Sequence, residues 1–311
     1  MPGLLQVIRN NTLGARSRRL LVGLLLAVCC GAAYLFGLYS HSRNLWPVEA
    51  LRALHRGPTA GTYDAVGGLI AYPGKVEVAC PDQTSDTAII LAIGQSSITN
   101  SGTKRVTTAY PDRVLNYFNG KCYVAASPLL GASGEAGEFL TLMADKLVRD
   151  GRYKTVVLIS SGVGGTPISR WQADGDLNDR LLAMLAGLQH GYKVTEILWH
   201  QGEDDFDNAT SAKVYRGSFL SLLESLRRRG VDAPVFAAIS TKCGPRWVPN
   251  NPTATAQRAL VAEGIVRLGA DTDGLLATAD RQSDDCHFNE SGQIKAATAF
   301  AEAIETSRQG R

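Results

Sequence analysis

At 311 residues, with 45% apolar and 20% charged residues and a formal net charge of +3, the chain can bury a full core and is neither disordered nor strongly polarised. Its lysines and arginines are not interleaved with aromatics, which argues against a nucleic-acid partner. No C-x-x-C pair marks a zinc site and no complete nucleotide motif occurs, so neither a metal nor a cofactor is expected.

The first element is Leu20–Tyr39, an uncharged apolar run about as long as a hydrocarbon core requires. Arg9, Arg16, Arg18 and Arg19 precede it without an acidic residue, whereas Arg43 and Arg52 beyond it are diluted by Glu49. That asymmetry predicts a basic cytoplasmic tail (1–19), a single transmembrane anchor (20–39) and a remainder that is periplasmic or extracellular. A cleaved signal peptide is the competing reading, but no clean small-x-small site follows the apolar run. Residues 40–86 read as a connector, with a short helix over Trp46–His55 and a small hairpin pairing Leu69–Tyr72 with Val76–Val78 around Pro73-Gly74.

A regular alternation then begins. Strands are predicted at Ala88–Ile93, Cys122–Ala126, Thr155–Ile159, Glu196–Trp199, Val235–Ile239 and Leu275–Thr278. Helices are predicted at Glu138–Val148, Leu177–Leu188, Ala212–Arg229, Ala254–Leu268 and Gly292–Glu305. Short apolar strands alternating with amphipathic helices imply an α/β class, a three-layer sandwich with a mostly parallel sheet covered on both faces. Right-handed crossovers would place the loops after the strands along one edge, collecting the polar clusters there.

Four cysteines lie outside the apolar run, an even number that favours disulfides in an exported domain while allowing three pairings. The expected pairs are Cys80–Cys122 and Cys243–Cys286, the second bracing the loop that carries His287.

Three polar clusters carry the chemistry. Ser96 follows a buried-looking strand through Gly94, whose freedom allows a tight turn. Asp284 precedes His287 by three residues, a spacing that lets a carboxylate accept from imidazole Nδ1 while the ring activates a serine elsewhere. Between them runs Trp199-His200-Gln201-Gly202-Glu203, where a carboxamide at a strand end can hold a developing oxyanion. Asp204 and Asp205 read as a solvated acidic tail. Gly131–Gly137 could lend a backbone N–H, and Ser160–Thr166 lacks the ending of a phosphate loop.

These blocks together resemble the SGNH (GDSL-like) hydrolases, and within them the sialic-acid-specific acetylesterase-like branch of carbohydrate esterases. The matching residues are Gly94-Gln95-Ser96-Ser97, Gly164-Gly165-Thr166 followed by Trp171, Trp199-His200-Gln201-Gly202-Glu203, and Asp284-Asp285-Cys286-His287, in order over about 87–306. The resemblance implies a flavodoxin-like fold over 87–311, with Ser96 as nucleophile, His287 as general base and then acid, and Asp284 as its orienter. It also implies an oxyanion site from Gln201, the Ser96 N–H and a glycine N–H, from Gly134 or its rival Gly165. Gln95, Glu203 and Trp171 become candidate substrate contacts, whereas Trp199 reads as core. Ser97 departs from the branch's asparagine, which puts the hydrogen bonding of the first block in question.

The expected function is a membrane-anchored serine esterase removing acetyl or other short acyl groups from a carbohydrate outside the cytoplasm. The rivals are a lipid or simple-ester hydrolase of the same fold and a non-catalytic glycan-binding envelope protein. Neither cofactor nor nucleic acid enters this reading, and the sequence leaves the oligomeric state open. A histidine base oriented by aspartate predicts activity rising through roughly pH 6–7.

Overall fold

The computed structural model describes residues 15–43, 60–188 and 190–309. Two compact units divide at Thr59 and Ala60. The first contains helix α1, Ala15–Arg43. The expected span 20–39 lies within α1, yet among the described residues no helix is long and apolar enough to cross a membrane. The helix expected over Trp46–His55 lies outside the described residues.

The second unit begins at Ala60, so the stretch expected to be a connector up to residue 86 is in part a piece of the folded domain. Its strands are β1 (Thr62–Tyr63), β2 (Leu69–Ala71) and β3 (Glu77–Val78). The expected hairpin around Pro73-Gly74 does not form: β2 pairs with β1, and β3 pairs with β6 further along. Buried Leu69 and the Cys80 disulfide bind this segment to the core, a pull that local turn chemistry does not reveal.

The rest of the unit contains β4 (Thr87–Gly94), β5 (Val114–Phe118), β6 (Lys121–Val124), α2 (Leu140–Arg149), β7 (Thr155–Ser160) and α3 (Asp176–Ala186). It continues through β8 (Glu196–His200), α4 (Glu203–Asp207), α5 (Ala212–Arg228), β9 (Val235–Ile239), α6 (Pro252–Ala262), β10 (Arg267–Asp271), α7 (Thr272–Leu275) and α8 (Glu290–Gln309). The main sheet runs in the order β10-β9-β8-β4-β7-β5-β6-β3. Pairing is parallel from β10 to β5 and antiparallel for β5–β6 and β6–β3.

Strand β4 explains the layers. Every residue of it is buried, and its side chains alternate between two cores. Ala88, Ile90 and Ala92 pack with Leu140, Met143 and Leu147 of α2 and with Phe300 and Ile304 of α8. Ile89, Leu91 and Ile93 pack with Leu181 of α3, Phe219 and Leu222 of α5 and Leu260 of α6. Full burial of each such isoleucine or leucine contributes about 1.5–3 kcal/mol, so this one strand anchors both faces. Ser211 caps α5 through Val214 N, and Asn251 caps α6 ahead of Pro252, fixing where both helices start.

The sixth predicted strand is misplaced. Leu275–Thr278 is the end of α7 and a short turn, while the strand lies earlier, at β10. Among the described residues β10 pairs only with β9, and Leu268 on it is exposed, so its apolar pattern is weak and the helix predicted to Leu268 overruns its first two residues. The sequence reading also passed over β5. The chain places β7 on one side of β4 and β8 on the other, a topological switch of the kind at which sheets open a crevice at the C-terminal ends of their strands.

Candidate active site

Ser96 sits at that switch point, at the start of a short helical turn, Ser96–Ile98, immediately after β4. Gly94 makes the turn feasible: with φ +134°, any Cβ there would come within 2.1 Å of the His200 carbonyl oxygen on β8. Ser96 is partly exposed, and its Oγ makes no hydrogen bond among the described residues.

His287 and Asp284 meet as the spacing predicts. His287 Nδ1 lies 2.6 Å from Asp284 Oδ2, and Asp284 Oδ1 accepts from the backbone N–H groups of His287 and Cys286 at 3.0 and 2.9 Å. Partial burial pushes the Asp284 carboxyl upward, but the bonds from His287 and Cys286 outweigh it and hold the group below the usual carboxylate range. The loop is closed at its base by an Arg281–Phe288 bridge and by Gln282 N donating to His287 O at 2.7 Å. It is tied to the segment following Ser96: Gln282 Nε2 donates to Ser101 O at 2.7 Å and Thr103 N to Phe288 O at 3.1 Å. Both expected disulfides form, and Cys243–Cys286 braces this loop.

Gln201 does not take the arrangement expected of it. It is fully buried, and its amide nitrogen donates to Thr166 O at 3.0 Å and to Asp205 Oδ2. Both N–H bonds are thereby used, and Oε1 is left without a partner. The cause is Asp205, which is buried rather than a solvated tail and also accepts from Ile168 N at 2.7 Å. A buried carboxyl acceptor this close holds the amide turned toward it.

The expected substrate contacts are likewise interior. Gln95 is 3% exposed, and its Oε1 accepts from Gly202 N and Asp204 N, capping the start of α4. Glu203 is 2% exposed and accepts from Ser97 Oγ at 3.1 Å and Ser240 Oγ at 2.8 Å. Trp171 is fully buried edge-on against Trp199, with its indole N–H on Thr166 Oγ1. All three hold the site from beneath. Ser97, the departure from the branch pattern, is thus bonded to Glu203 directly behind the nucleophile.

Burial pushes the Glu203 carboxyl up to about 7 and Asp204 up to about 6, the latter aided by Asp205 and Asp207. Burial also drives His200 down to about 3, so its 3.7 Å contact with Glu203 is between neutral groups through the acid range. His200 Nε2 meets Thr272 Oγ1 instead.

Of the candidate glycines, Gly134 packs its α-carbon toward Asn100 O, and Gly165 has open space around it. The glycine against the nucleophile is Gly164, whose Cβ position lies 3.4 Å from Ser96 Cβ. It is exposed, and its N–H donates to Ser133 Oγ at 2.9 Å. Gly164 belongs to the Gly164-Gly165-Thr166 motif and stands next to the candidate Gly165. Arg281, nearly fully buried and donating to Cys286 O, Lys242 O and Thr272 O, carried no sequence signal at all. Among the described residues no group of His, Cys, Asp or Glu is arranged to hold a metal ion. A cavity of about 220 Å³ lined by Ile197, Leu226, Val231 and Pro234 lies at the opposite end of the strands, away from Ser96.

The chain is also similar to known proteins. The profile of the carbohydrate esterase, sialic acid-specific acetylesterase family matches residues 86–306. Among solved structures, an Arabidopsis thaliana protein superposes with TM-score 0.54 at 16% identity, covering 71% of this chain and 98% of its own. NanS superposes with TM-score 0.50 at 15% identity, covering 75% of this chain and all of its own (100%). Identities this low speak for the fold alone. No curated protein is similar to the chain in sequence.

Proposed function

As a member of the carbohydrate esterase, sialic acid-specific acetylesterase family the chain is a carboxylic ester hydrolase, and we propose that it removes acetyl groups from a carbohydrate through Ser96, His287 and Asp284. The observation that carries this reading is the His287–Asp284 pair at 2.6 Å on a loop bonded to the segment after Ser96. Ser96 Oγ attacks the ester carbonyl while His287 Nε2 takes its proton, and the negative Asp284 stabilises the resulting imidazolium through Nδ1–H. The oxyanion is met by the Ser96 N–H and the Gly165 N–H, since Gly164 N–H is held by Ser133, with Gln201 holding that turn through Thr166 rather than reaching the oxyanion itself. Protonation of the leaving sugar oxygen by His287 frees the alcohol, and water activated by the same ring then releases acetate and Ser96.

The disulfides fit an oxidising compartment. The apolar run 20–39 behind Arg16, Arg18 and Arg19 supports attachment to a membrane with the domain outside the cytoplasm. Fractionation tests that placement: a carbonate-resistant pellet whose domain is protease-accessible from outside agrees, and a cytosolic soluble chain does not. The catalytic test is acetate release from 4-nitrophenyl acetate and an acetylated sugar by wild type and Ser96→Ala. Loss of at least about 10³-fold with the fold intact agrees with Ser96 as nucleophile, and retained turnover refutes it.

A further inference from the structure

Building on the carbohydrate-esterase reading, we propose that Trp247 is the platform against which the sugar part of the ester stacks. The tryptophans nearest the sequence motifs do not serve, since Trp171 and Trp199 are 0% and 1% exposed. Trp247 is the one tryptophan among the described residues that is not fully buried; it is half-buried. It lies on the loop that leaves the C-terminal end of β9, on the same sheet edge as Ser96.

This loop is bound to the His287 loop at several points. Cys243 is joined to Cys286, Gly244 N donates to Asp285 O at 3.1 Å, and Arg281 holds Lys242 O and Cys286 O with one nitrogen. Trp247 N then turns back onto Gly244 O, which keeps the indole within one turn of the Asp284–His287 segment. The ring itself is fixed. Its N–H donates to Thr241 Oγ1 at 2.9 Å, and Lys242 Nζ lies 5.6 Å from the ring centroid while 3.8 Å from Asp285. A partly exposed indole locked in this way presents an apolar plate at low entropic cost, the property that ring C–H faces of a sugar recognise. Core packing does not account for it, because Trp247 belongs to neither hydrophobic core.

The test compares two esters on the full chain by acetate release: vinyl acetate, which has no ring, and a peracetylated methyl glucoside. Trp247→Leu is expected to leave kcat/KM for vinyl acetate within about twofold and to lower it about tenfold for the sugar ester, mainly through KM. Trp247→Phe should recover most of that loss, since it keeps an aromatic face. Equal losses on both esters would overturn the proposal, since they mark a loop that positions His287. So would an unchanged sugar reaction, or a wild type that hydrolyses vinyl acetate but not the sugar ester. Failure of the esterase reading itself looks different: the wild type would then hydrolyse neither ester, and failure of the Ser96 assignment alone would leave vinyl acetate turnover in Ser96→Ala.

Discussion

Replacing Glu203 with glutamine should make the protein more stable relative to wild type as pH rises. The carboxyl is buried and pushed up to about 7 from an ordinary value of 4.5, with burial as the main cause. Ser97 and Ser240 donate to Oε1 and favour the charged form, but Oε2 has no partner among the described residues and burial outweighs them. A raised folded-state pKa means that stability is fully present below about pH 4.5 and is lost as pH climbs through 7. The difference between those two values corresponds to about 3 kcal/mol, nearly all of which falls between pH 4.5 and 8. Glutamine mimics the neutral acid and does not titrate. Its own packing cost, with an amide where Oε2 had no partner, is the same at every pH. The stability difference between Glu203→Gln and wild type should therefore grow by about 3 kcal/mol in favour of the variant from pH 4.5 to 8, measured by urea unfolding. A difference flat with pH would refute the argument, showing that Glu203 ionises freely in the folded state.

Other outcomes follow from the same network. Gln201→Ala removes both donors to Thr166 O and Asp205 and should lose about 2–4 kcal/mol in urea midpoint analysis together with activity. Near-normal stability with lost turnover would instead mark Gln201 as a direct oxyanion donor. Cys243→Ser with Cys286→Ser opens a bridge between residues 43 apart and should cost about 2–4 kcal/mol, with kcat falling more than KM rises because the His287 loop loses a tether. Unchanged kcat would show that the loop needs no such brace.

The periodic parts of the fold were legible because their physics is local. Beta4 is a continuous apolar run flanked by a polar turn, and the Asp284–His287 contact needs only a three-residue spacing. The disulfide pairing also read correctly. Residues 60–86 did not, because Leu69 and Cys80 are held by distant parts of the chain. Beta10 was hidden because an edge strand with an exposed Leu268 lacks a buried pattern. Gln95, Gln201 and Glu203 are more buried and more fully partnered than the sequence reading expects, for a related reason. A polar residue next to a nucleophile looks like a ligand contact in sequence, and only the burial and partners reveal a support. Gly164 and Arg281 act through backbone contacts, which leave little trace in residue type.

The most direct test of the central claim is covalent labelling of the active protein with a diethyl phosphoryl ester, followed by peptide mapping. The account predicts a single stoichiometric adduct on Ser96, formed at least tenfold more slowly in His287→Ala, with esterase activity lost in step with labelling. An adduct on another serine, or full esterase activity after Ser96 is modified, would contradict it.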